Sequence, residues 1–165
     1  MDEITVPKNR IKIIKNSIQK VEYYTNTKIK IENENEIIIE GDAYNEYNAK
    51  NIIQAIARGF KLNDALKLLN ENIYADYIQL KEFLNNEKQI KNIKGRVIGR
   101  EGKAKEEIEA ISGATIAVYG NTIGIIGAIE SITIAKAGIE VLIKGGKHNT
   151  AYKVMEKRKR TLDRW

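Results

Sequence analysis

Gly95-Arg-Val-Ile-Gly99-Arg-Glu-Gly102-Lys-Ala-Lys-Glu-Glu-Ile108 is the stretch whose reading decides the fold. Two glycines separated by two residues, preceded by Val97-Ile98 and followed by an amphipathic run, permit a tight turn whose backbone can approach a ligand closely. The first amides of a helix starting there have no intrahelical partner and carry a partial positive charge, so phosphates are natural partners. Arg96, Arg100, Lys103 and Lys105 surround the turn, with Arg100 and Glu101 standing between Gly99 and Gly102. Other phosphate motifs fail on spacing. A P-loop has four residues between its glycines and a Ser or Thr after its lysine, whereas Lys103 is followed by Ala104; the G-x-G of a dinucleotide fingerprint is also missing.

Working outward, the chain repeats itself. Ile29-Lys-Ile31, Glu36-Ile-Ile-Ile39-Glu-Gly41 and Arg58-Gly59 recur as Ile116-Ala-Val118, Thr122-Ile-Gly-Ile125-Ile-Gly127 and Lys144-Gly145. Each copy opens with a short apolar stretch, Ile4-Thr-Val6 or Ile90-Lys-Asn-Ile93, read as a first strand. Helix-period segments follow, around Arg10 to Asn26 and Arg96 to Ser112. Strands are expected at 28–32 and 36–40 and again at 115–119 and 122–126. The closing helices show one apolar face each, Ala49, Ile52, Ile53, Ile56 and Ala57 in the first and Ile132, Ala135, Ile139, Leu142 and Ile143 in the second, and end at Gly59 and Gly145. The order is β-α-α-β-β-α twice, in modules 1–60 and 87–146. Residues 61–86 read as a helical linker with Leu62, Ala65, Leu66, Leu69, Tyr74, Tyr77, Ile78 and Phe83 as buried positions, and 147–165 as a basic C-terminal helix. The first module has no glycine between Arg10 and Val21 and is one residue shorter there, so it cannot form the loop; Lys8, Arg10, Lys12 and Lys15 leave it a basic surface.

The 165 residues, 42% hydrophobic and 30% charged, suit a folded core and neither a disordered nor a membrane chain. No run of 18 apolar residues occurs, and Met1-Asp2-Glu3 is no basic leader, so the expected compartment is the cytoplasm. Without cysteine, disulfides, thiolate zinc sites and cysteine nucleophiles are excluded, and a single histidine supplies no metal cluster. No cofactor is expected. From Lys144 onward there are eight basic residues against two acids, which equals the net charge of +6 for the whole chain. A second basic cluster runs from Lys88 to Lys105. Localised positive charge of this kind is the footprint of a polyanion partner, although a solvated basic face has the same composition.

A G-x-x-G between the two helices of a β-α-α-β-β-α unit resembles the KH domain, whose loop clamps the backbone of about four nucleotides. The expected class is therefore α+β, two tandem type I KH modules of which only the second keeps its loop. With Ala57-Arg58-Gly59-Phe60, Val97-Ile-Gly-Arg-Glu-Gly-Lys103, Ser112-Gly113-Ala114 and Gly146-Lys-His148 leading to Ala151-Tyr152, the chain resembles the KH-domain ribosome-assembly factors of the partner-of-Nob family. The resemblance implies a non-catalytic protein that binds single-stranded RNA near the 3′ end of small-subunit ribosomal RNA, beside an endonuclease that cuts it. Ribosomal or initiation-factor proteins are further conceivable partners. It also implies a groove in which Ile98, Ala104, Ile108 and Ile116 receive bases, although each of them also reads as core.

Lys147 and His148 precede the last helix, where Asn149 or Thr150 is the expected cap. His148 reads as an RNA contact or as a structural residue. Lys157, Arg158 and Arg160 can track phosphates on that helix, and Trp165 beside them can dock a protein. Tyr119 falls on the strand face opposite Ile116 and Val118, to stack on a base or to cover the sheet. Tyr44, Tyr47, Tyr74 and Tyr77 sit at helical spacings and read as packing residues. Glu106-Glu107-Ile108-Glu109 reads as a solvated face with no substrate or metal positioned beside it. The rival in a different class is a protein-interaction adaptor that uses the modules as a scaffold.

Overall fold

Ile37 and Ile39 stand two residues apart on one strand and are both fully buried, as are Ile123 and Ile125 on a strand, Thr122–Gly127, whose every residue is buried. Period-two burial is what one covered face of a pleated sheet demands, and each pair lies on the central strand of its own antiparallel sheet. The computed structural model describes residues 1–164 and divides into two compact units, Met1–Glu71 and a second that begins at Asn72.

The first unit runs β1 (Asp2–Thr5), a single 3-10 turn at Lys8–Arg10, α1 (Ile11–Thr25), β2 (Lys28–Glu32), β3 (Glu36–Glu40), α2 (Ala43–Ala57) and the short α3 (Leu62–Ala65). Its sheet order is β1-β3-β2, with Ile37 opposite both Ile4 and Ile31. Ile14, Ser17, Val21 and Thr25 form the buried stripe of α1, and Asp42 caps α2 by accepting from the Asn45 amide at 2.9 Å. The second unit runs β4 (Tyr74–Gln79), α4 (Glu87–Ile98), α5 (Lys103–Ser112), β5 (Thr115–Tyr119), β6 (Thr122–Gly127), α6 (Ile129–Ile143) and α7 (His148–Asp163). Its order is β4-β6-β5, with Ile123 opposite both Ile78 and Val118.

Three polar devices recur in both units. The Arg10 guanidinium donates twice to the Ile56 carbonyl, at 3.0 and 2.8 Å, and Arg96 donates to the carbonyls of Leu142 and Gly146. Carbonyls at a helix C-terminus carry partial negative charge, which a guanidinium fork neutralises; Ile56 and Leu142 also accept from the Gly59 and Gly145 amides. Glu22 accepts from the Ile29 amide and Glu109 from the Ile116 amide, each at 2.9 Å, tying a helix to the strand that follows it. Thr25 and Ser112 donate to the carbonyls of Val21 and Ile108, both at 2.6 Å.

The repeat differs from the sequence reading at three places. Ile90-Lys-Asn-Ile93 is helix, not strand: Ile90, Ile93 and Val97 are the buried face of α4, a three-and-four spacing. The first strand of the second unit is β4, inside the segment read as a helical linker, so the unit extends upstream of residue 87 and 61–86 is not one linker. Tyr74, Tyr77 and Ile78 have helical spacing, but every residue of β4 pairs with β6. In the first unit, α1 runs unbroken where two helices were expected, because no glycine interrupts it. Tyr44, Tyr47, Tyr74 and Phe83, read as packing residues, are exposed.

The C-terminal helix is part of the second core. Ala151 and Met155 of α7 are fully buried, and a Cβ built on Gly138 of α6 would lie 2.0 Å from the Met155 sulfur, so the glycine lets the two helices touch. Helix α7 begins at His148, before Asn149 and Thr150, and neither caps it. Truncating a fully buried methionine leaves a cavity that costs about 2–5 kcal/mol. Met155→Ala is therefore expected to destabilise the second unit by that amount in urea unfolding; a loss near zero would make α7 an appended tail.

Candidate nucleic-acid interface

Helix α4 stops at Gly99, whose amide still donates to the Gly95 carbonyl at 2.8 Å while its φ swings to +75°. A 3-10 turn, Arg100–Gly102, then leads into α5. The two glycines serve different ends. A Cβ on Gly99 would lie 2.5 Å from the Ala104 Cβ and 2.7 Å from the Ala104 nitrogen, so this position must be glycine for the first turn of α5 to close against α4. Gly102 has φ +76° and nothing within 4 Å of its missing Cβ: its constraint is conformation, and the space beside it is open. Glu101 is a non-glycine residue in the left-handed region, φ 56°, held there by the glycines around it. No side chain caps α5, and its first amide, the Lys103 N–H, donates to the Arg100 carbonyl of the preceding turn.

Arg100, Glu101 and Lys103 are exposed and Lys105 is half-buried; among the described residues none of the three cations has an ion-pair partner. The loop thus presents a helix start without a side-chain cap and free positive charge together. Arg96 does not share in this. Its guanidinium turns away to clasp the end of α6, and its carbonyl meets the His148 Nε2 at 2.8 Å. Arg10 makes the same clasp in a unit that has no loop, and that recurrence was the available sign that Arg96 is structural.

Ile98 is half-buried beside the loop, but Ile116 is 2% exposed and Ile108 fully buried, so these two lie within the core, with Ala104 nearly so. Val118, half-buried on the same strand face as Ile116, is the apolar side chain that β5 leaves more open. Lys147 is exposed at the start of α7, and the half-buried His148 ring lies 6.2 Å from that of Tyr152. Burial pushes the Tyr152 phenol above its ordinary pKa, and the Glu107 carboxylate adds to the shift. Lys157, Arg158 and Arg160 are exposed on α7, and Trp165 lies outside the described residues. Among the described residues no group of three His, Cys, Asp or Glu could hold a metal ion, and no helix is long and apolar enough to cross a membrane.

Helix, G-x-x-G turn, helix and a three-stranded antiparallel sheet define a type I KH domain. The family model for the second KH domain of PNO1 proteins, a eukaryotic type KH-domain (KH-domain type I), matches residues 74–160, which takes in β4 and most of α7. The KH domain-containing protein MJ0443 of Methanocaldococcus jannaschii is 33% identical over 98% of this chain and 75% of its own length. The pre-rRNA-processing protein PNO1 of Chaetomium thermophilum is 29% identical over 61% of this chain, and the match spans 40% of that protein. Among solved structures, the aDim2p complex with a/eIF2alpha and rRNA from Pyrococcus horikoshii OT3 matches with a TM-score of 0.89 and 35% identity, covering 97% of this chain and 94% of that one. The chain belongs to the PNO1 family of KH-domain proteins.

The two loop glycines should respond differently to the smallest substitution. Gly102→Ala meets only the left-handed backbone and is expected to cost about 1–2 kcal/mol. Gly99→Ala adds a backbone collision with Ala104 and is expected to cost clearly more in urea unfolding; equal costs would contradict the close approach.

Proposed function

We propose that this chain is a single-stranded RNA-binding factor of small-subunit ribosome assembly, with the turn between α4 and α5 as its phosphate clamp. The observation that carries the reading is the open side of Gly102, at a helix start that no side chain caps and beside which Arg100, Lys103 and Lys105 have no ion-pair partner among the described residues. RNA phosphates fit such a turn by the same physics that draws anions to any helix start, and single strands leave base edges free for the half-buried Ile98 and Val118. Arg100, Glu101, Lys103, Lys105 and the exposed Lys147, Lys157, Arg158 and Arg160 are the residues assigned to contact; Arg96, Ile116 and His148 support them from within.

The names borne by the relatives support the finer reading. One processes pre-rRNA, and a structural neighbour is seen with rRNA and an initiation-factor subunit. On this reading the chain holds the 3′ region of small-subunit RNA in the cytosol, an initiation-factor or ribosomal protein is a second partner, and a separate endonuclease performs the cleavage. The first unit is a degenerate KH module: it shares the sheet order and the arginine clasp and lacks the first helix and the loop.

Fluorescence anisotropy with a short single-stranded RNA of the small-subunit 3′ sequence tests the reading, with its duplex as control. Gly102→Asp/Lys103→Glu leaves Gly99 and the fold in place and is expected to weaken binding by tenfold or more, since about 1.4 kcal/mol is tenfold in affinity. Wild-type affinity should fall with salt, by about 0.7 in log–log slope per phosphate neutralised on a single strand. Binding unchanged in the variant would refute the clamp, and binding insensitive to salt would favour the adaptor.

A further inference from the structure

Strands β1 and β4 are outer strands of their sheets, and each carries an aspartate turned back on its own backbone. The Asp2 carboxylate accepts from the Glu3 amide at 2.8 Å and meets the Lys50 ammonium of α2 at 3.1 Å. The Asp76 carboxylate accepts from the Tyr77 amide at 2.8 Å and meets Lys136 of α6 at 3.0 Å. On the other two outer strands, β2 and β5, Glu22 and Glu109 hold the Ile29 and Ile116 amides, so all four give one amide to a carboxylate. We propose that Asp76, anchored by Lys136, is a latch that closes the outer edge of β4, and that without it this edge pairs with β4 of a second copy of the chain.

The ladder shows which amides the latch governs. In an antiparallel pair, successive residues turn their backbone groups alternately toward the partner strand and away from it. The Leu80 amide, just past β4, donates inward to the Asn121 carbonyl, so Tyr74, Asp76 and Ile78 also turn toward β6 while Ala75, Tyr77 and Gln79 turn outward. Asp76 thus holds the central one of three outward amides, from the sheet face that the buried Ile78 shares and that α6 covers. An inward-pointing charge on an outer strand is one of the ways a sheet resists the addition of further strands.

The two latched edges are not equally guarded. The Val6 amide donates inward to the Asn35 carbonyl, so Pro7 takes an outward position and has no N–H to offer, and β1 is only four residues long. Strand β4 has six residues and no proline, and Asp76 is its single charge. Its own sequence selects the occupant. The antiparallel register that uses all three outward amides sets Ala75 opposite Gln79 of the second copy and Tyr77 opposite its counterpart, an isologous pair with a two-fold axis. Residue 76 then stands opposite Ile78, which an aspartate opposes and an alanine accepts.

Sedimentation velocity of the full chain over a concentration series tests the latch, with circular dichroism to show that each variant is folded. Wild type and Asp2→Ala are expected to stay single, and Asp76→Ala to approach twice the mass of one chain as concentration rises. Asp76→Asn keeps an oxygen for the Tyr77 amide and is expected to follow the wild type. Lys136→Ala removes the anchor and leaves the strand intact, so it is expected to pair more than wild type and less than Asp76→Ala, and it carries the test if the latter does not fold. Amide hydrogen exchange gives a second reading: in Asp76→Ala the Tyr77 amide exchanges faster than in wild type at low concentration and slows as the pair forms. A wild type that pairs as readily as Asp76→Ala, variants at 76 and 136 that all stay single, or an Asp76→Asn that pairs as strongly as Asp76→Ala would overturn the proposal. Growth beyond two chains would overturn it too, since a two-fold pair closes on itself.

Discussion

The guanidinium of Arg96 ties together the elements that carry the loop. It donates to carbonyls at the end of α6, and its own carbonyl meets the His148 ring at the start of α7, so one residue of α4 links three helices. The Leu142 carbonyl, which also accepts from the Gly145 amide, lies at a helix terminus, where a cation is favoured by the dipole as well as by hydrogen bonding. Arg96 lies three residues before Gly99, so the clasp also holds the end of α4 from which the turn departs. The turn is thereby fixed in place before any ligand arrives, and preorganisation of this kind keeps the entropic cost of association low.

The two units show what the clasp does and does not specify. Both have it, both order their strands alike, and both tie a helix to the next strand through a glutamate. They diverge over the residues between the arginine and that glutamate. In the second unit Gly99 and Gly102 break the helix and swing α5 against α4; in the first, α1 continues through the same place with Ser17 donating to the Ile13 carbonyl. One architecture thus carries a glycine turn in one unit and an unbroken helix with exposed lysines in the other.

Much of this was legible from spacing. The hairpin strands, the isoleucine faces of α2 and α6 and the position of the G-x-x-G turn follow from local periodicity, because burial of a strand or helix face leaves a period of two or near 3.6 in the chain itself. What was misread involved partners far away in sequence. Tyr74-Ala-Asp-Tyr-Ile-Gln79 carries a helical spacing and became a strand because β6 offered it a full ladder of hydrogen bonds. Arg96 read as part of the basic surround of the loop because a lone sequence shows charge and not direction; its acceptors lie 46 and 50 residues further on. Spacing leaves the role of His148 undecided for the same reason, since the Arg96 carbonyl that its ring meets lies 52 residues away.

The sequence by itself determined that the chain repeats, that one copy has the glycines for a phosphate-binding turn and the other does not, and that positive charge gathers in the second half and at the C-terminus. These are properties of composition and of near neighbours, where backbone sterics and periodicity act without help. Only the tertiary structure decided that β4 completes the second sheet, that α7 belongs to its core through Met155 and Gly138, and which of the basic and apolar residues around the turn remain open to a ligand. Those outcomes depend on which distant groups come into contact, and a guanidinium or an isoleucine commits to core or surface only when the chain has closed around it.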